Sequence, residues 1–251
     1  MKQPPAEVEG AHRGPLAKLV LGVGLGIAFA GFCALGIWQL QRLQWKRELI
    51  ARVDSRIHAP AVAPPSHARW PEVNVHSDEY RRVRTSGRFL PSMDVRVQAL
   101  TRLGAGWWVM SPLRMPDGGI VLINRGFVPD DAVAAPPGTG MATVTGLLRI
   151  SEPGGRVLRH NDPLGGHWYS RDVAAIAATL DLHDVAPYFI DAEAPAANTS
   201  WPRGGMTVVA FRNQHLSYAL TWFGLALLVA VAAVMLHASG RRLPGVKTGP
   251  P

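Results

Sequence analysis

Cysteine is almost missing from this chain of 251 residues: Cys33 stands alone, so no internal disulfide can form and no CxxC or CxxxC metal or redox site exists. The nine histidines include no HExxH pair, and neither a GxSxG elbow nor a Walker A loop occurs. Those absences remove the usual signatures of zinc peptidases, α/β-hydrolases and P-loop nucleotide hydrolases. His160, Asp162 and His167 are close in sequence, but flanking glycines and Pro163 mark a loop there rather than a metal site. Lys and Arg exceed Asp and Glu by 26 to 18, yet the cations never gather into one patch interleaved with aromatics, so no nucleic-acid partner is expected. Many of them instead flank two stretches that lack charge altogether, where cations meet lipid head groups.

Those stretches are the first positive signal. Leu19 to Trp38 and Tyr218 to Leu236 carry no charged residue, and each approaches the roughly 20 apolar residues that cross a hydrocarbon core. A cleaved signal peptide has a shorter apolar region followed by a small-residue cleavage site, whereas here a helical pattern follows. A lipoprotein signal at Cys33 conflicts with bulky Phe32 just before it. Gly22, Gly26, Ala30 and Ala34 recur every four residues, a strip that would admit a second helix, with Ala219, Ala226, Ala230 and Ala233 as the opposing surface. Two crossings put both tails on one side, and the cations near the span ends are too evenly divided to say which.

Between the spans the helical pattern continues to about Ile57, and APAVAPPSHARWP then reads as an extended loop. After it the period shortens. Strand candidates are Tyr80 to Phe89, with Tyr80, Val83, Thr85 and Gly87 on one face, then Asp94 to Leu100, Gly106 to Leu113, Gly119 to Phe127 and Ala142 to Ile150. Ala174 to Leu182 reads as a short helix, with closing strands at Ala186 to Ala192 and Met206 to Arg212. The expected fold is a membrane protein of the α+β class: two transmembrane helices flank a small, mainly antiparallel β-sheet or barrel with one or two helices. The expected order is a tail over 1–18, a span over 19–40, a β-rich domain over 41–212 whose first 17 residues extend the helix, a span over 213–237 and a tail over 238–251.

Three segments stand out chemically. At the exit of the first span Trp38, Arg42 and Trp45 share a helical face with Lys46 beside it, which an interfacial aromatic belt with snorkelling cations would also explain. At the entrance to the second, His215, Tyr218, Ala219 and Trp222 share a face. In an antiparallel pair these two segments meet at one membrane depth. An imidazole there can ligate haem iron, and nearby cations can pair with propionates, although an interfacial His more often only hydrogen-bonds. The third segment is VLINRGFVP, Val121 to Pro129, where Asn124-Arg125-Gly126 breaks an apolar strand as a turn or bulge and projects Arg125 toward an anionic ligand or partner.

The order WQLQRLQWK after an N-terminal span, YRRVRTSGRF, GWWVMSPL, VLINRGFVP, VTGLLR and NQHLSYALTWF at a second span resembles the Surfeit locus protein 1 family from about Leu35 to Leu236. The signature positions are Gly36, Trp38, Gln39, Arg42, Trp45 and Lys46, then Asn124, Arg125, Gly126 and Pro129, then Asn213, His215, Leu216, Tyr218, Ala219, Thr221 and Trp222. Phe127 stands where the family commonly has Trp. The resemblance implies a cytochrome c oxidase assembly factor rather than an enzyme. It implies a bacterial inner-membrane protein with both termini cytoplasmic, a periplasmic central domain, and subunit I and the haem a synthesis machinery as partners. It further implies transient binding of haem a, with His215 the candidate iron ligand and Trp222, Tyr218, Arg42, Trp38, Lys46 and Arg125 around the cofactor. A haem-independent scaffold for oxidase subunits is the alternative, and a membrane-tethered periplasmic enzyme a weaker one.

Overall fold

The computed structural model describes residues 14–156, 158–194, 200–207 and 213–240. In chain order the elements are α1 (Pro15–His58), a 3-10 turn (His67–Glu72), β1 (Arg82–Phe89), β2 (Val95–Thr101), β3 (Gly104–Arg114), β4 (Ile120–Pro129), β5 (Met141–Ile150), β6 (Gly155–Arg156), β7 (Arg159–His160), α2 (Val173–Thr179), β8 (Val185–Ala192) and α3 (His215–Gly240). They divide into two compact units, one drawn from residues 1–50 and 211–251 and the other from 51–210.

The first unit is a helix pair. α1 and α3 are each long and apolar enough to cross a membrane, and almost nothing covers their apolar windows. Leu19 and Leu227 are 64% exposed and Ile27 69%. A core helix of a soluble domain would have these side chains covered. Apolar on all sides and open, the two helices belong in lipid, which makes the chain a membrane protein. They meet antiparallel: the Phe32 ring stacks on Trp222 at 5.8 Å, and Gln39 reaches His215 at 2.8 Å. Gly36 sits against the Phe223 ring, where a Cβ would approach to 2.6 Å, so a side chain here would push the helices apart. Ala219 and Ala226 are buried as expected. Gly22 and Gly26 instead face open space among the described residues, and Ala30 and Ala34 are exposed. The expected strip is therefore not the seam; the seam forms where a glycine receives a bulky ring.

The second unit is built on one six-stranded sheet in the order β1-β5-β8-β4-β3-β2. β1 also pairs with β3 through Arg88 with Arg114 and Phe89 with Leu113, closing five strands into a barrel with β2 outside. The pairs are antiparallel except for β8, which enters parallel to β4 with Leu122 opposite Phe189. Side chains alternate along a strand, so Tyr188 and Ile190 of β8 join Val83, Leu113, Ile123 and Leu148 in one core. Phe189 and Leu122 join Met110, Trp168 and Ile176 of α2 in the other. Burial on both faces explains why β4 and β8 read as continuous apolar runs.

Two expectations need correction. Tyr80 does not belong to the β1 alternation: it is a turn residue with φ 63°, its N–H donates to Leu148 O at 2.9 Å, and Arg149 lies over its ring. The segment after α1 is not simply extended. Val62 pairs with Val83, and the chain then coils into the 3-10 turn because Trp70 must be buried. There the Trp70 indole and the Tyr188 hydroxyl both donate to Pro65 O, at 3.2 and 3.1 Å. The strand expected over 206–212 lies mostly outside the described residues; Met206 and Thr207 are in no strand.

Candidate functional site

α3 starts at His215, two residues after Asn213, whose Oδ1 is buried and has no hydrogen-bond partner among the described residues. Only one face of α3 is covered, and His215 lies on it, one turn before buried Ala219. The half-buried imidazole contacts Gln39 Oε1 through Nδ1 at 2.8 Å; its Nε2 makes no hydrogen bond among the described residues. Gln39 is 9% exposed, on the α1 face that also carries Gly36 and buried Leu43. In an apolar helix pair such a polar contact is stronger than in water and costly to leave unmade.

The remaining candidates of this unit gather less tightly. The Arg42 guanidinium lies 5.9 Å from the Trp38 ring centre and 5.0 Å from that of Trp45. It is thus held by aromatics one turn to either side along α1, as the helical spacing requires. Trp222 stacks on Phe32, a residue the sequence reading did not single out. Tyr218 is 54% exposed and Trp38 49%; Lys46 is half-buried one turn beyond Arg42. The sequence reading also left Gln39 out of the candidate site. An amide at the first position after the apolar run, three residues after Gly36, was the available signal.

Arg125 belongs to the second unit, and there the Asn124-Arg125-Gly126 sequence is a bulge. Val109 pairs with Gly126 and Met110 with Asn124, so Arg125 is the extra residue. Its guanidinium donates to Ala135 O at 2.7 Å and to Asp94 Oδ2 at 3.4 Å, and it lies over the Phe89 ring. Burial pushes its pKa down from the usual arginine value, and Asp94 opposes that shift. These contacts use two of the five guanidinium N–H donors. Phe127 is fully buried with the Trp108 and Trp201 rings edge-on to it.

Asn124 links the bulge to a buried ion network that the sequence did not announce. Its Nδ2 donates to Asp191 Oδ1 at 2.7 Å while its Oδ1 accepts from the Gly126 N–H at 3.1 Å. Asp191 also accepts from Arg149, Arg171 and Thr207. Arg171 donates in turn to both oxygens of Glu152. Burial works against the Glu152 carboxylate, but the Arg171 hydrogen bonds and charge outweigh it and hold its pKa below the ordinary 4.5. Glu193 is held low by its hydrogen bonds with Arg82, with burial opposing. Folded-state values below unfolded ones mean stability that is full at neutral pH and lost as the pH falls below about 4.5. An acid titration followed by near-ultraviolet circular dichroism is expected to show that loss, and Glu152→Gln should shrink it.

The chain matches the SURF1 family model over residues 26–227. It is 32% identical over 235 residues to Surfeit locus protein 1 of Rattus norvegicus, covering 84% of this chain and 73% of that one. It is 33% identical over 233 residues to the Mus musculus protein of the same name, covering 84% and 72%. A SURF1-like protein of Monosiga brevicollis is 32% identical over 237 residues, covering 86% and 87%.

Proposed function

The chain belongs to the SURF1 family, and from that membership we propose that it is an assembly factor for cytochrome c oxidase that holds haem a transiently and passes it to subunit I. The observation that carries the haem part is the imidazole of His215, tied at Nδ1 to Gln39 while Nε2 is left without a hydrogen bond among the described residues. The residues present fit the group. A nitrogen ligand stands at the start of an apolar helix, aromatic rings of Trp38 and Trp222 lie on the same two helices, and Arg42 and Lys46 supply cations for propionates. Haem a, if bound, would supply an iron that the His215 imidazole could ligate.

The role is non-catalytic: His215 binds, the aromatics enclose, and the cations orient. The spans run over 19–40 and 213–237, the tails over 1–18 and 238–251 are cytoplasmic, and the domain over 41–212 is periplasmic in a bacterial inner membrane. Subunit I and the machinery that makes haem a are the partners. Arg125, two of whose guanidinium donors go to Ala135 and Asp94, is the remaining candidate for contacting an anionic group.

Purification of the full chain in detergent from cells making haem a is expected to yield a haem-containing wild type and a His215→Ala variant nearly without haem. Equal haem in both would reject ligation and leave the scaffold reading, which the exposed Trp45 and Tyr218 side chains would serve equally well. Deletion of the gene is expected to lower a-type haem absorbance at subunit I; undiminished absorbance would count against the assembly role itself.

A further inference from the structure

We propose that Gln39 is the positioning residue for His215: its amide oxygen keeps the ring proton on Nδ1 and so presents Nε2, with its lone pair, as the ligating nitrogen. The ligand part rests on the haem reading above, whereas the tautomer part stands on the contact alone. A neutral imidazole has one donor and one acceptor nitrogen. With Gln39 Oε1 2.8 Å from Nδ1, the proton belongs on Nδ1. Gln39 is 9% exposed and sits one turn from Gly36, which receives the Phe223 ring. The amide is thus held in place by packing on both sides of it along α1, with Leu43 buried one turn further on.

The chemical identity of the acceptor has a consequence for what the site does. Metal-bound histidines commonly donate their second N–H to a carboxylate or carbonyl, and a carboxylate raises ligand basicity. An amide oxygen carries no net charge, so it fixes the ring's orientation while pulling less on its proton. The resulting ligand is well aimed but weakly donating, which suits a cofactor that must be released to the next protein.

The test uses the full chain in detergent with nitrogen-15-labelled histidine, the His215 signals being assigned by their loss in His215→Ala. Wild type is expected to show Nδ1 protonated and Nε2 unprotonated before any haem is added. Gln39→Leu should mix the two tautomers and weaken haem a binding by about 10–100-fold. Gln39→Glu, nearly the same shape, should keep the Nδ1 proton, tighten binding and lower the haem reduction potential, and it keeps the test open if the leucine variant does not fold. A proton found on Nε2 in wild type would mean that the amide donates instead, and overturns the proposal. Ring shifts unmoved in Gln39→Leu overturn it as well. Should the ring respond to Gln39 while no form takes up haem, the positioning role stands and the haem reading falls.

Discussion

Asp191→Ala is expected to destabilise the β domain by about 3–5 kcal/mol, the loss typical when one partner leaves a buried ion network. Asp191 is 4% exposed, and its two oxygens accept from Asn124 at 2.7 Å, Thr207 at 2.9 Å, Arg149 at 3.1 Å and Arg171 at 3.2 Å. The Arg149 and Arg171 side chains are each only 13% exposed. Without the carboxylate, two guanidiniums share what remains, Glu152 for both and Glu79 for Arg149. Burial lowers the Arg149 pKa, yet Asp191, Tyr80, Glu79 and Glu152 together hold it above its ordinary value, and the alanine variant removes the first of those supports. Asp191→Asn keeps the shape and some of the hydrogen bonds and is expected to lose less. Denaturant melts of the three full-length proteins in one detergent decide the matter: an unchanged midpoint in the alanine variant would show that the network contributes nothing to stability.

That network also shows where reading the sequence stops. The two spans were legible because an uncharged run of about 20 residues has few other uses, and the periods placed β1 to β5 and β8 closely, while α2 ends at Thr179 rather than at the expected Leu182. The bulge was legible too, since Asn-Arg-Gly inside an apolar strand leaves few alternatives. Asp191 was not. Its partners lie 67, 42 and 20 residues away, and no local period encodes a pairing that exists only after β8 slips between β4 and β5. The same non-local insertion makes β4 and β8 parallel in a sheet expected to be mainly antiparallel. Gln39 was visible as a residue but not as a contact. The spacing of Trp38, Arg42 and Trp45 identified the exposed face of α1, while the buried face, carrying Gly36, Gln39 and Leu43, is the one that meets α3.

Gly126→Ala is the second large effect, expected at about 3–5 kcal/mol when backbone strain and a broken pair of hydrogen bonds are taken together. The residue has φ 129°, a region side chains avoid, and a Cβ there would lie 2.0 Å from Arg203 O and 2.4 Å from Gly204 N. Both obstacles are backbone and cannot rotate away. The segment carrying Arg203 would have to retreat, and with it the reciprocal bonds between Phe127 and Arg203, each 2.9 Å. Phe127 would lose the Trp201 ring on that side, and the Gly126 N–H would lose its alignment with Asn124, passing the disturbance on to Asp191. Gly118→Ala separates strain from collision, because Gly118 also has a positive φ, 91°, but nothing within 4 Å of its would-be Cβ. Its cost should stay near the 1–2 kcal/mol of left-handed strain alone. Equal losses in the two variants would mean that Arg203 does not press on the bulge, and that glycine is required at 126 for conformation only.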